Sequence, residues 1–241
     1  MFFLNLNYNW LTDPTYQSWL KTGILNTIYL SLICIIFSVL IGLIGVWLKT
    51  SRHQLIKQLI EIYIQIFRNT PPLVQIFFLF FVLANLLPTV YDPTTGGQTP
   101  LLGSFASAAI ALSLFAGAFN IEIFRAGIEA VPKTTIEAAF SLGFSRLQCF
   151  RLVIMPLAWR ICLPALNNNL VNLVKTTTLA SAIATPELLY YAGQIYADNF
   201  ATLEVMLFIW LIYVVLVAVL VALTHWWEKK LRLPGFDILS R

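Results

Sequence analysis

Arg68, Glu122, Arg125, Lys175 and Glu187 stand in or beside long apolar stretches of this chain. A charge at the centre of a bilayer costs about 2.5–3.5 kcal/mol on insertion scales, so such a residue faces protein or water, and it pairs or marks a polar path. If the second apolar stretch enters the membrane near Gln58, helical rise puts Arg68 about 15 Å deep, close to the midplane of a core about 30 Å thick. Arg68 is followed by Thr70-Pro71-Pro72, where a broken helix would leave backbone groups unpaired. Arg68 and Thr70 are therefore candidates for a solute pathway. A structural ion pair or the capping of carbonyls is the alternative for Arg68. Lys175 lies about 22 Å beyond Arg160 on a continuous helix and is followed by Thr176, Thr177 and Thr178. These residues line the outer end of a cavity, or Lys175 snorkels to the surface. Glu187 follows Pro186 and either faces a cation or caps a short helix. Glu122 and Arg125, three apart on one helix face, read as a local ion pair or a gate. The Asn167–Asn169 cluster suits hydrogen bonding between helices.

A second constellation is Glu137-Ala138-Ala139-Phe140-Ser141-Leu142-Gly143. It is a polar interval between two apolar spans, flanked by Lys133, Arg146 and Arg151. The small Ala138 and Ala139 permit close approach by a partner, Glu137 offers a charged anchor, and Gly143 suits a tight helix end. An ordinary amphipathic loop is the alternative. Cys34, Cys149 and Cys162 have no metal-ligand spacing, so neither metal nor cofactor is expected. No Gly-x-x-x-x-Gly-Lys-Ser/Thr stretch offers an ATP site, and no basic run with interleaved aromatics suggests nucleic acid.

The elements that must position these residues are membrane helices. The chain is 59% hydrophobic and only 11% charged, against about 25% charged in soluble domains. Residues 1–20 hold Trp10, Tyr16 and Trp19 and read as an interfacial segment. The first apolar span, 22–48, is too long for a cleaved signal and is expected to be retained. A second runs over 55–87, interrupted by Pro71-Pro72, which should kink or break the helix. The third, 101–125, is rich in Gly, Ala and Ser and should be a central helix with protein on several sides. A polar loop over 126–155 follows, then a fourth span at 157–179, a fifth at 203–227 and a tail from 231. The loops holding Lys49–Lys57 and Lys133–Arg151, and the stretch Lys229–Arg232, are basic; 88–100 and 180–202 contain no Lys or Arg. The positive-inside rule then sets the N-terminus outside, the C-terminus inside and Glu137 in the cytoplasm. The expected fold is an all-α integral membrane protein with five transmembrane helices and cytoplasmic helices between the third and fourth.

From Gly143, nine residues lead to Val153-Ile154-Met155-Pro156. Glu-Ala-Ala, three residues, Gly, nine residues, then aliphatic residues and Pro156 resembles the coupling loop of bacterial ABC-importer permeases. Further blocks resemble the polar amino-acid permeases of the histidine and glutamine type: Ile62 to Gln75 around Arg68-Asn69-Thr70-Pro71-Pro72, Glu122 to Lys133, and Leu163 to Asn167 followed by Leu173 to Ala180. The resemblance covers roughly residues 20 to 230, with the blocks in the family's order. Two departures stand out. Thr134-Thr135 replaces the family's common Gly-Gln, and Lys175-Thr176-Thr177-Thr178 replaces Lys-Asp-Thr-Ser, which leaves Lys175 without a neighbouring carboxylate.

The resemblance implies a permease subunit in a bacterial cytoplasmic membrane that moves polar amino acids by alternating access. It implies two ATPase partners docked on Glu137, Ala138, Ala139, Gly143 and Pro156. It also implies a second permease subunit, identical or similar, and an extracytoplasmic amino-acid-binding protein. The zwitterion would meet Arg68, Thr70, Lys175, Thr176, Thr177 and Glu187, with Glu122 and Arg125 as a gate or ion pair. ATP hydrolysis would fall to the partners, so the chain is not itself an enzyme. The competing readings are a self-sufficient secondary transporter or channel, and an ABC permease for another small solute.

Overall fold

The computed structural model describes residues 8–92 and 96–231. A 3-10 turn, Asn9–Thr12, leads into α1, Pro14–Lys49. Asp13 accepts the Thr15 N–H at 2.7 Å and Pro14 stands at the first helical position, so the helix starts well before residue 22. The expected interfacial segment 1–20 is thus partly helix, and its residues 1–7 lie outside the described residues. Trp10 is buried edge-on against Phe208, with ring centroids 5.5 Å apart.

Of the two outcomes expected for the second span, a kink or a break, the structure shows the break. The span is α2, Gln54–Asn69, then α3, Pro72–Phe77, a π-helical turn over Phe78–Leu83 and the short α4, Ala84–Leu86. The two arms meet at 110°. Consecutive prolines explain the angle. Pro71 and Pro72 remove two N–H donors, and Thr70, preceding proline, is driven extended (φ −105°, ψ 140°). The expected loop 88–100 contains an antiparallel hairpin of β1, Thr89–Asp92, and β2, Gly97–Pro100, with Thr89 opposite Pro100.

The third span is α5, Ser104–Glu129, the axis of the molecule. Its small residues do what such residues do between membrane helices: they let backbones approach. A Cβ on Gly117 would lie 2.6 Å from Ile41 Cγ2 of α1, and one on Gly42 would lie 2.6 Å from Asn120 Cβ. After α5 come α6, Lys133–Ser141, and α7, Arg146–Cys149. A π-helical turn over Phe150–Ile154 joins α7 to α8, Met155–Thr176. The fourth span therefore starts at Arg146, before the expected residue 157. Pro156 does not start this helix. It follows the wide π turn, which accommodates a proline that has no N–H to give.

A 3-10 turn over Thr177–Ile183 tightens the end of α8, and Ala184 closes it in the left-handed region (φ 53°). Then come α9, Leu188–Asn199, and α10, Thr202–Leu231. The expected tail lies outside the described residues from 232 onward. One buried cluster joins Leu30 and Cys34 of α1, Ile76 of α3, Leu112 of α5, Leu173 of α8 and Ile183. Another ties Trp10 and Leu20 to Leu188, Ile195, Val205 and Ile209. Among the described residues, four helices are long and apolar enough to cross a membrane, and the bent pair makes a fifth candidate. Trp210, Leu211, Val215 and Leu223 of α10 are exposed, as apolar side chains of a membrane helix can be.

Candidate functional site

The first candidate surface is built on α6 and α7. Two local signals fold it. Gly143 N–H bonds the Phe140 carbonyl at 2.9 Å, and Phe144 N–H bonds the Ala139 carbonyl at 3.1 Å. That pair of bonds is a Schellman motif, and it needs the left-handed φ of +85° that Gly143 supplies. Immediately afterwards Ser145 and Gln148 form a reciprocal capping box that starts α7. The turn between the helices is therefore defined on both sides. Ala139 is buried, while Glu137 and Ala138 face out. Glu137 makes no ion pair among the described residues. Around it Phe140, Leu142 and Leu147 are exposed, Leu142 by 77%. Bulky apolar side chains this exposed, rimmed by polar ones, mark a docking surface. They were not singled out in the sequence; the signal passed over there is large hydrophobes in an otherwise polar loop.

The second candidate is the break between α2 and α3. Arg68 is exposed and, among the described residues, makes neither of the expected alternatives, an ion pair or a carbonyl cap. Its guanidinium lies over the Phe119 ring, 5.1 Å from the centroid. The expected unpaired carbonyls are taken. Gln75 Nε2 donates to the Phe67 carbonyl at 2.9 Å, and to the Thr70 carbonyl and Thr70 Oγ1 at 3.0 Å each. The Thr70 hydroxyl in turn donates to the Ile66 carbonyl. Gln75 was not singled out in the sequence because nothing there shows that a side chain five residues past the break folds back onto it.

The 3-10 turn after α8 packs against α3 and α5, which brings the end of the fourth span toward the break. Lys175 is exposed in the last turn of α8, where a cation suits the helix dipole. The hydroxyls of Thr176, Thr177 and Thr178 donate to the carbonyls of Asn172, Val174 and Lys175 at 2.7–2.8 Å. Thr177 is fully buried and offers no surface to a solute. Glu187 is likewise corrected. It is fully buried; one oxygen caps α9 by accepting the Tyr190 N–H at 2.7 Å, and the other accepts the Tyr213 hydroxyl at 2.8 Å. Burial pushes its carboxyl above the usual carboxylate range, against hydrogen bonds that pull it down. Capping, the alternative reading, describes this residue.

Glu122 and Arg125 do form an ion pair, at 2.7 Å. It belongs to a larger cluster: Arg125 also holds Glu129 at 2.7 Å, and Lys49 of α1 holds Glu122 at 2.8 Å and Glu61 of α2 at 2.9 Å. Lys49 and Glu61 were missed because their partners lie on other helices. Asn169 Nδ2 bonds the Ala116 carbonyl at 3.1 Å and Asn120 Oδ1 at 2.8 Å, the expected interhelical use of that cluster.

Comparison with known proteins places this architecture. Residues 41–233 match the family of binding-protein-dependent transport system inner membrane components. The chain is 30% identical over 241 residues to the glutamate/aspartate import permease protein GltJ of Escherichia coli K12, covering 96% of this chain and 98% of the relative. It is 36% identical over 175 residues to the probable glutamine ABC transporter permease protein GlnP of Bacillus subtilis, covering 73% and 75%. A crystal structure of an amino acid ABC transporter with histidines superposes with a TM-score of 0.80 at 29% identity, over 93% of this chain and 99% of the other. An inward-facing MetNI methionine ABC transporter shares the fold at 18% identity, with a TM-score of 0.73.

Proposed function

The chain belongs to the family of binding-protein-dependent transport system inner membrane components, and on that footing we propose that it is the membrane subunit of an ATP-driven importer of polar amino acids. The observation that carries the reading is the α6–α7 surface: a rigid turn presenting Phe140, Leu142 and Leu147 beside Glu137. An apolar surface of this kind in a basic, cytoplasm-side segment calls for a protein partner. An ABC ATPase fits it. The amino-acid substrate follows from relatives such as GltJ and GlnP.

In this reading the protein lies in a bacterial cytoplasmic membrane with its N-terminus outside. Two ATPases sit below and a loaded binding protein docks above. ATP closes the ATPase pair, and α6–α7 carries that closure into α5 and α8. A second permease subunit would cover α2. Glu61, Gln65, Arg68 and Asn69 are all exposed along its polar side, and polar groups at that depth need water or protein against them. The pathway runs between the two copies, bordered here by Arg68, Thr70, Lys175 and Thr176. Arg68 and Lys175 meet a carboxylate as cations. ATP hydrolysis belongs to the partners.

Purification in mild detergent from native membranes tests the reading, with Glu137→Arg and Leu142→Asp alongside. An ATPase should co-elute with the wild type and be lost from both variants. A chain that purifies alone, and moves amino acids in liposomes without ATP, would sink the importer reading and leave a secondary transporter.

A further inference from the structure

The polar side of α2 is wired to the far end of α5. Asn69 Nδ2, one residue before Thr70, donates to Gln65 Oε1 at 2.9 Å, and Gln65 Nε2 donates to Glu61 Oε1 at 3.1 Å. Glu61 Oε2 meets Lys49 Nζ at 2.9 Å, which also meets Glu122 Oε1 at 2.8 Å. Glu122 continues through Arg125 to Glu129, the last residue of α5. Only Ala130, Val131 and Pro132 separate Glu129 from α6. The result is a continuous run of hydrogen-bonded and paired side chains from Asn69, beside the break, to Glu129 at the end of α5, three residues short of α6.

Every link but those of Lys49 lies within one helix. Asn69, Gln65 and Glu61 are spaced by four on α2; Glu122, Arg125 and Glu129 are spaced by three and four on α5. Lys49, the last residue of α1, is the one side chain of this run that joins helices. The two links it makes are unequal. Glu122 is 20% exposed and already held by Arg125, whereas Glu61 is 49% exposed and, among the described residues, has only Lys49 as ionic partner. A half-exposed pair contributes little to stability, so it opens and re-forms readily. A cleft of about 480 Å³ beside it, lined by Lys49, Gln58, Glu61, Arg125 and Glu129 among others, leaves room for that movement. The Tyr63 hydroxyl, bonded to the Leu114 carbonyl at 2.5 Å, keeps α2 on α5 farther up and acts as the pivot.

We propose that Lys49 is a positioning residue of the transport cycle: by holding Glu61 of α2 and Glu122 of α5 on one ammonium, it makes the broken helix move with the coupling end of α5. The proposal deepens the importer reading and rests on it. Lys49 touches no solute; it sets how much solute crosses for each ATP hydrolysed.

The test uses the complete complex in liposomes, with its ATPases and binding protein. Radiolabelled L-glutamate, L-glutamine, L-arginine and L-cystine serve as probes, and the readout is probe moved per ATP hydrolysed. Lys49→Met and Glu61→Gln should keep basal ATP hydrolysis and melting temperature while lowering that ratio about fivefold or more, the lower end of allosteric couplings. Lys49→Arg should restore it. Glu61→Gln is isosteric and half-exposed, so it carries the test even if Lys49→Met fails to assemble. An unchanged ratio in Glu61→Gln overturns the proposal. So does a loss matched by an equal fall in melting temperature, which would make the cluster merely structural. A wild-type complex that moves none of the probes overturns the importer reading and this proposal together; a coupled wild type with unaffected variants overturns this proposal alone.

Discussion

Gly143→Ala isolates a single physical term. Gly143 sits at φ +85°, and a Cβ added there would meet nothing within 4 Å. Sterics against neighbours therefore contribute nothing, and the cost is backbone alone. An L-residue in the left-handed region costs about 1–2 kcal/mol. Loss of glycine's freedom in the unfolded chain returns about 0.4–1 kcal/mol. The net destabilisation is about 1 kcal/mol, and it is local to the α6–α7 turn, whose two defining donors are the Gly143 and Phe144 amides. A penalty of about 1 kcal/mol raises the open population of that turn roughly fivefold. Hydrogen exchange of peptides covering residues 140–148, read by mass spectrometry in nanodiscs, reports this opening directly. Gly143→Asn should fall between Ala and wild type, because Asn tolerates the left-handed region. Gly103→Ala is the control: nothing lies within 4 Å of its added Cβ either, but its φ is −67°. Equal exchange in the Ala and Asn variants, or a fivefold rise in the Gly103 control, would refute the backbone argument.

Gln75→Leu should destabilise the break by about 1–3 kcal/mol, because the Phe67 and Thr70 carbonyls lose their donor; a melting temperature equal to wild type would show that water substitutes. Glu187→Ala should cost about 1–2 kcal/mol through the lost α9 cap, while Glu187→Gln should be close to neutral and leave uptake intact, since the group caps and does not meet solute. The wild-type pH profile carries a matching signature. A carboxyl raised in the folded state binds its proton where the unfolded chain has already released it, so stability falls as pH rises from the ordinary carboxylate value through the raised one. Glu187→Gln should flatten that slope in a melting-temperature series against pH; an unchanged slope would mean that other groups produce it.

The order of spans was legible because it rests on long-wavelength signals: apolar length, small-residue content and the absence of Lys and Arg from alternate loops. α5 is the clearest case. Its run of Gly, Ala and Ser announced a helix packed on several sides, and α1, α3 and α8 pack around it. Boundaries failed where a local cap outweighed hydropathy. Asp13 and Pro14 start α1 in a polar segment, and the Ser145–Gln148 box starts the fourth span before Pro156. At Pro71-Pro72 the sequence left a kink and a break both open, and the structure shows a break of 110°. One proline kinks a helix, but two in succession with an extended Thr70 before them end it.

The site was harder to read, because its chemistry is held between elements. Glu122 and Arg125 could be paired from their spacing alone. Lys49 and Glu61 could not, since each sits near a helix end that looked like ordinary basic or polar surface. Thr177, Thr178 and Glu187 looked available for a solute because sequence displays polar atoms without their partners. The structure assigns those hydroxyls to helix carbonyls and that carboxylate to a helix N-terminus. The polar side of α2 is the instructive intermediate. Gln58, Glu61, Gln65, Arg68 and Asn69 recur at helical spacing on a helix whose other face is Leu and Ile. That period was present in the sequence, and it separates a lipid-embedded span from one that must face water or a second subunit. Hydropathy averaged over the stretch hides it, because Leu55, Leu59, Ile62 and Ile66 offset the polar side. A segment whose mean is apolar but whose polar residues share one face should be read first by that face, and here the face leads from Lys49 to the break at Thr70.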